Sequence, residues 1–253
     1  MCGRFASFTE TQDLADELAI AELAEDARLL PPSWNVAPTD PVRIVVERAA
    51  KDSAEVTRSI RLARWGLVPS WAKDPGVGAR MINARSESLL DKPAFAKPFA
   101  ARRCLVLADG YYEWRKLVSL TVPGSKKVPK QPYWIHPADA GVAAFAGLYE
   151  FWRNPAASET DPDRWLVSTT VVTRPASDVM AAIHDRMPLV LPQDAWDTWL
   201  DPAVRDASEL LQIGAPPLTT RPVGDAVGKV QNNGPSLIEE DPEPRDPEPV
   251  LVG

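Results

Sequence analysis

Apolar residues in this chain arrive in short β-type runs, each cut off by turn residues before it can grow into a long helix. "VRIVVER", "TRSIRLARWGLV", "PYWIHP", "VAAFAGLYEFW" and "RWLVSTTVVT" read as strands. "RRCLVLADGYYEWRK" reads as two strands bent at Asp109-Gly110, and "NPAASETDPD" as a turn. Helical patterning is sparse. "FTETQDLADELAIAELAED" reads as a helix with Thr9 as N-cap, Gln12 completing a capping box, and Leu14 and Leu18 on its buried face. "PPSWNVAPTDP" is a proline-rich irregular segment. "NARSESLLDKPAF" reads as a turn entering a short helix. "ASDVMAAIHD" reads as a short helix ending near His184, and "QDAWDTWL" begins another. Many short strands with few helices point to an α+β fold: a curved, mostly antiparallel, barrel-like sheet with flanking helices. No linker divides the chain, so one domain is expected over 1–238, followed by an acidic tail over 239–253.

Composition narrows the class. The chain has 253 residues and 45% hydrophobic content, enough for one substantial core. No apolar run reaches bilayer-crossing length and no secretory pattern is present. A cytoplasmic location, with access to the nucleoid in a bacterium, is therefore expected. The net charge of −7 is concentrated at the end, where "EEDPEPRDPEP" carries six acids and one arginine. Its net of −5 leaves only −2 for the rest. A nearly neutral body is compatible with a local basic cleft. The tail itself has no means of burying apolar surface and is expected to be disordered. Two cysteines and two histidines without CxxC or HxxxH spacing argue against a disulfide framework and against zinc. Cys104, in "CLVLA", reads as a small buried hydrophobe.

Five segments combine reactive groups with turn residues: "MCGRF", "WNVAPT", "INARSE", "DGYYEW" and "AAIHDRMP". In this order they resemble the SOS response-associated peptidase (SRAP) family, from Cys2 to the stretch "PVGDAVGKVQNNGPSLIE". The resemblance implies an SRAP-like fold and a monomer that needs no metal or cofactor. It implies action on abasic sites in single-stranded DNA through a covalent link to the N-terminal cysteine.

Residue chemistry makes that activity intelligible. A small side chain at Cys2 allows an aminopeptidase to remove Met1. The same residue then carries a free α-amine, with a pKa of about 7.7–8.0, and a thiol. The amine attacks an aldehyde to give a Schiff base, and the thiol closes on the imine carbon as a five-membered thiazolidine. No internal cysteine can do this, because its nitrogen is an amide.

Glu113 resembles the family's catalytic glutamate. Tyr111, Tyr112 and Trp114 around it are expected to raise its pKa toward the range of proton transfer. His184 matches the family histidine and is assigned proton transfer during ring opening of the sugar. Asn83 and Arg85 match substrate-holding positions, an amide for the sugar and a guanidinium for a phosphate. Asn35 is expected to line the same pocket, Arg4 to reach phosphate, and Thr173, eleven residues before His184, to touch substrate. Trp71 follows Pro69 and Ser70 in a loop and offers a stacking face to a neighbouring base. Trp65 and Trp134 are expected in the core, and His136 is read as structural.

Lys229 stands where family relatives are expected to have asparagine. Two other readings use the same residues. In one, Cys2, His184 and Glu113 form a thiol peptidase or autopeptidase. In the other, Cys2 is inert in a non-covalent DNA-binding module.

Overall fold

The computed structural model describes residues 2–49, 55–122, 124–176, 178–248 and 250. Its strands are β1 (Phe5–Ser7), β2 (Glu22–Leu23), β3 (Ser33–Val36), β4 (Pro41–Ala49), β5 (Val56–Trp65), β6 (Asn83–Arg85), β7 (Arg103–Ala108), β8 (Gly110–Lys116), β9 (Lys130–Pro137), β10 (Ala143–Arg153), β11 (Trp165–Pro175), β12 (Arg186–Pro188) and β13 (Leu218–Pro222). The helices are α1 (Thr11–Glu17), α2 (Glu25–Leu29), α3 (Pro93–Ala101), α4 (Asp178–Ile183) and α5 (Trp196–Leu200).

Strands β5, β4, β7, β10 and β11 pair antiparallel in that order. A parallel contact of β11 with β5, Ser168 to Arg64 and Thr169 to Trp65, then closes the ring. The chain is thus a mixed α+β domain built on a closed five-stranded barrel. Closure crowds the backbone at Gly66, which sits at φ +123°, where an added Cβ would lie 2.5 Å from the Gly78 carbonyl. A second, antiparallel sheet runs β13-β9-β8-β1-β3.

Alternation along the strands sorts the core. Val45, Leu105, Leu107, Ala144 and Val172 pack under Leu14 of α1, Phe95 and Phe99 of α3, and Trp199 of α5. Ile44, Val106, Phe145 and Val171 point the other way, toward Phe5, Tyr111, Tyr133 and Ile135 of the second sheet. Phe5 joins the two sheets, its ring 4.8 Å from Trp65 and 5.9 Å from Phe145. Trp65, Trp134 and Cys104 are in the core as expected.

Three expectations fail locally. The long helix over 8–26 is broken: α1 ends at Glu17, Ala19 takes φ 51°, and β2 and α2 follow. Thr9 is not its cap. The Asp109 carboxylate takes the amides of Phe8 and Thr9, at 2.5 and 3.1 Å, together with the Thr9 hydroxyl. The cap position falls to Glu10, whose side chain makes no capping bond. Within "PPSWNVAPTDP", β3 forms against β1.

The described part of the acidic tail, 239–248 and 250, is docked where disorder was expected; 249 and 251–253 lie outside the described residues. Asp246, 3% exposed, accepts hydrogen bonds from Tyr133 and Arg115, each at 2.6 Å. The Arg245 amide donates to Gln131 Oε1 at 2.8 Å, and the Asp241 amide to the Pro222 carbonyl at 2.9 Å. Polar latches replace the apolar burial that composition withholds.

Candidate active site

The amino-terminal segment is laid along β8 by the sheet. Phe5 pairs with Tyr111 and Ala6 with Gly110. The Arg4 carbonyl extends this ladder by accepting from the Tyr112 amide at 2.9 Å. The segment therefore runs toward Glu113. Cys2 is fully buried, and its carbonyl accepts from Asn83 Nδ2 at 2.7 Å. Asn83 is presented by β6, which is held parallel to β11 at Val171. The Asn83 Oδ1 and the Tyr111 hydroxyl are buried without a hydrogen-bond partner among the described residues. On the far side, α4 packs against β8 and ends at His184, whose amide donates to the Met180 carbonyl at 3.0 Å.

Electrostatics ties these groups together. Burial pushes the Cys2 thiol far above its ordinary range, and the Glu113 carboxylate pushes it the same way. The charge of the chain's amino terminus and the Arg4 amide oppose them. Burial also raises Glu113, against the pull of the amino terminus, His184 and the Trp114 amide. Tyr111 is raised by burial and then by Cys2 and Glu113. Cys2, Tyr111, Glu113 and His184 thus form one electrostatic cluster, with Glu113 biased toward the protonated acid.

His184 Nδ1 lies 3.0 Å from the Arg186 amide nitrogen and 2.8 Å from Asp185 Oδ1. It faces an open depression of about 530 Å³ lined by Arg85, Lys116, His184, Asp185 and Arg186. Arg186 is clamped by Glu87, whose carboxyl it holds down to about 2, and by the Thr173 carbonyl at 2.7 Å. Lys116, Asp185 and Arg186 were not singled out by sequence reading. Asp185 and Arg186 lie inside the "HDRMP" motif, while Lys116 reaches the site only because β8 ends there.

Asn35, Thr173 and Arg4 occupy other places than expected. Asn35 is buried with its amide fully engaged. Oδ1 accepts from Arg4 at 2.7 Å, and Nδ2 donates to the carbonyls of Lys229 and Asn232 at 3.0 and 2.8 Å. Asn35 therefore braces Arg4 and the 229–232 turn rather than lining the depression. Lys229 takes part through its backbone. Arg4, half-buried, also donates to the Val227 carbonyl at 2.8 Å. Thr173 is fully buried behind Arg186, its hydroxyl 3.3 Å from the guanidinium. Trp71, 70% exposed, is outside the lining of the depression, on a segment pinned where Trp152 Nε1 donates to the Ala72 carbonyl at 2.7 Å. Among the described residues no cluster of His, Cys, Asp and Glu is arranged to hold a metal ion, and no helix is long and apolar enough to cross a membrane.

The family model for SOS response associated peptidase (SRAP) matches residues 1–230. The chain belongs to the SRAP family. The abasic site processing protein YoqW of Bacillus subtilis is 35% identical over 243 residues, covering 94% of this chain and 99% of its own length. The abasic site processing protein HMCES of Xenopus tropicalis is 34% identical over 194 residues, 67% of this chain and 54% of that one. A solved protein from Bacteroides thetaiotaomicron shares the fold at TM-score 0.75 and 21% identity, covering 95% of this chain and all of the other. A solved phage-related protein from Bordetella bronchiseptica gives a TM-score of 0.61 at 29% identity, covering 88% of this chain and 94% of the other. The SRAP match begins at residue 1 and takes in all nine candidate site residues.

Proposed function

We propose that this chain captures abasic sites in single-stranded DNA as a covalent thiazolidine on Cys2, after Met1 is removed. Met1 lies outside the described residues. Abasic site processing is the activity in the names of its relatives. The observation that carries the reading is the convergence of Cys2, Asn83, Glu113 and His184 at the end of one strand ladder. It gathers a nitrogen that Met1 removal would free, a thiol, a carbonyl anchor and two proton carriers.

The steps follow from those groups. The abasic sugar opens to its aldehyde, with His184 moving the proton at the sugar hydroxyl. The neutral Cys2 amine adds to the aldehyde carbon. Glu113, whose acid form burial favours, protonates the departing hydroxyl, so water leaves and the imine forms. The thiol then adds to the imine carbon and its proton ends on the nitrogen. One C–N and one C–S bond form, and one water is lost. Asn83 fixes the Cys2 carbonyl and turns its unpartnered oxygen toward the sugar. Arg85, Lys116 and Arg186 supply charge for a flanking phosphate. Trp71 offers an exposed ring to a base further along the strand, while Arg4, Asn35 and Thr173 hold the site's shape.

The imine has a second exit, β-elimination with strand cleavage, and thiol closure competes with it. A thiol peptidase needs a depressed thiol pKa, and burial drives Cys2 the opposite way.

The test is a denaturing gel after incubation with a single strand carrying a uracil-derived abasic site. A stable shifted band is expected. Cys2→Ala should remove it but leave an imine that borohydride traps. One extra residue before Cys2 should also remove the stable band, because the new terminal amine has no thiol on its own residue. A stable band from the extended protein would refute the reading.

A further inference from the structure

The hairpin joining β8 to β9 carries Arg115, Lys116, Lys126, Lys127 and Lys130, with no Asp or Glu between them. Arg115 is committed to Asp246 of the tail. The four lysines are exposed, and none is ion-paired among the described residues. Lys116 and Lys130 stand directly opposite each other across the ladder. Like charges in that position weaken an antiparallel pair, so the arrangement does nothing for folding.

The loop beyond them is built. The buried Leu117 donates its amide to the Pro129 carbonyl at 2.9 Å, and a turn follows over Val118–Leu120. The Ser125 amide closes on the Val122 carbonyl at 2.9 Å around Gly124, at φ +84°. Val118 and Val122 are 71% and 68% exposed, between the cationic base of the hairpin and Lys126 and Lys127. Lys116 also lines the depression beside Arg85 and His184, so the base of the hairpin borders the depression.

We infer that this hairpin is a second contact surface for DNA. It holds phosphates on the flank of the strand as that strand leaves the depression. The inference rests on the reading that the depression takes a single strand, and extends the contact beyond the lesion. Unpaired phosphates meet the lysines, and bases or sugars meet the exposed valines.

The test measures binding, not crosslinking, so that it stands apart from the covalent step. Strands of five and fifteen nucleotides carry a central tetrahydrofuran, an abasic analogue without an aldehyde. Affinity is followed by fluorescence anisotropy across a salt series for the unaltered protein and for Lys126→Gln/Lys127→Gln. The two proteins should bind the short strand alike. On the long strand the variant should be weaker by about tenfold near 0.1 M salt. Its log–log salt slope should be shallower by about 1.4, the value for two lost phosphate contacts on a single strand. Equal affinity and slope on the long strand would overturn the inference and leave the surface to an acidic protein partner. Equal loss on both strands would overturn the assignment to the flank. Failure of a true abasic five-mer to crosslink would instead count against the covalent reading alone.

Discussion

Cys2 and Cys104 are both fully buried, and burial pushes both thiols up, Cys104 to about 12. Their surroundings differ. Cys104 sits mid-strand opposite Gly147, and the polar partner of its sulfur among the described residues is the Thr169 hydroxyl, at 3.5 Å. That hydroxyl is itself spent on the Leu148 carbonyl at 3.0 Å. Cys2 lies at the start of its ladder among Glu113, Tyr111, Asn83 and His184, with two buried oxygens there unpartnered among the described residues. Burial alone does not mark a reactive thiol. What separates the two is a neighbouring proton carrier and a backbone nitrogen that can become an amine.

The largest effect that tests this contrast is all-or-none. Cys2→Ala should abolish the stable DNA adduct on a denaturing gel, while Cys104→Ala should retain it at full yield per folded molecule. Glu113→Gln comes next. Loss of a general acid should slow adduct formation by roughly 10²–10⁴-fold in single-turnover kinetics. The same variant should melt at a higher temperature than the parent at pH 8. Glu113 has a folded pKa above its unfolded one, so stability falls as pH rises from the unfolded value through the folded value, and glutamine removes that loss. At pH 4 the two melting temperatures should converge. Asn83→Ala removes the donor to the Cys2 carbonyl and should slow capture by about tenfold, the scale of one hydrogen bond.

On the other side of the comparison, Gly147→Ala would place a Cβ 2.8 Å from Cys104 Sγ and 2.9 Å from Val106 Cγ2. Overpacking of this kind should cost about 1–3 kcal/mol in denaturant unfolding and leave the capture rate unchanged. A fall in capture matching the fall in stability would erase the distinction between the two thiols.

Strand periodicity made most of the fold legible, because the barrel strands alternate or run apolar wherever both faces are covered. The barrel-like sheet was legible, but the pair of strands that closes it was not, since the parallel contact of β11 with β5 joins segments about 100 residues apart that carry no pairing signal. Local propensity misled at Thr9, where Asp109, just before the neighbouring strand β8, outcompetes the helix for the hydroxyl. It misled again at the tail, where Asp246 is held by Tyr133 and Arg115 rather than by apolar burial. In the site, residue chemistry pointed to Cys2, Asn83, Glu113 and His184, and the fold brings these four together. Asn35 and Thr173 carry the right chemical groups but spend them on Arg4 and Arg186, a distinction only the assembled hydrogen bonds reveal.

The claim that two atoms of one residue capture the lesion is tested most directly by mass spectrometry of the amino-terminal peptide after crosslinking to an abasic strand. The account predicts an adduct on Cys2 lighter by one water than its two components. The sulfur of that adduct should no longer react with iodoacetamide, and its nitrogen should be a secondary rather than a primary amine. A Cys2 sulfur still open to alkylation in the stable adduct, or an adduct on a lysine, would contradict it.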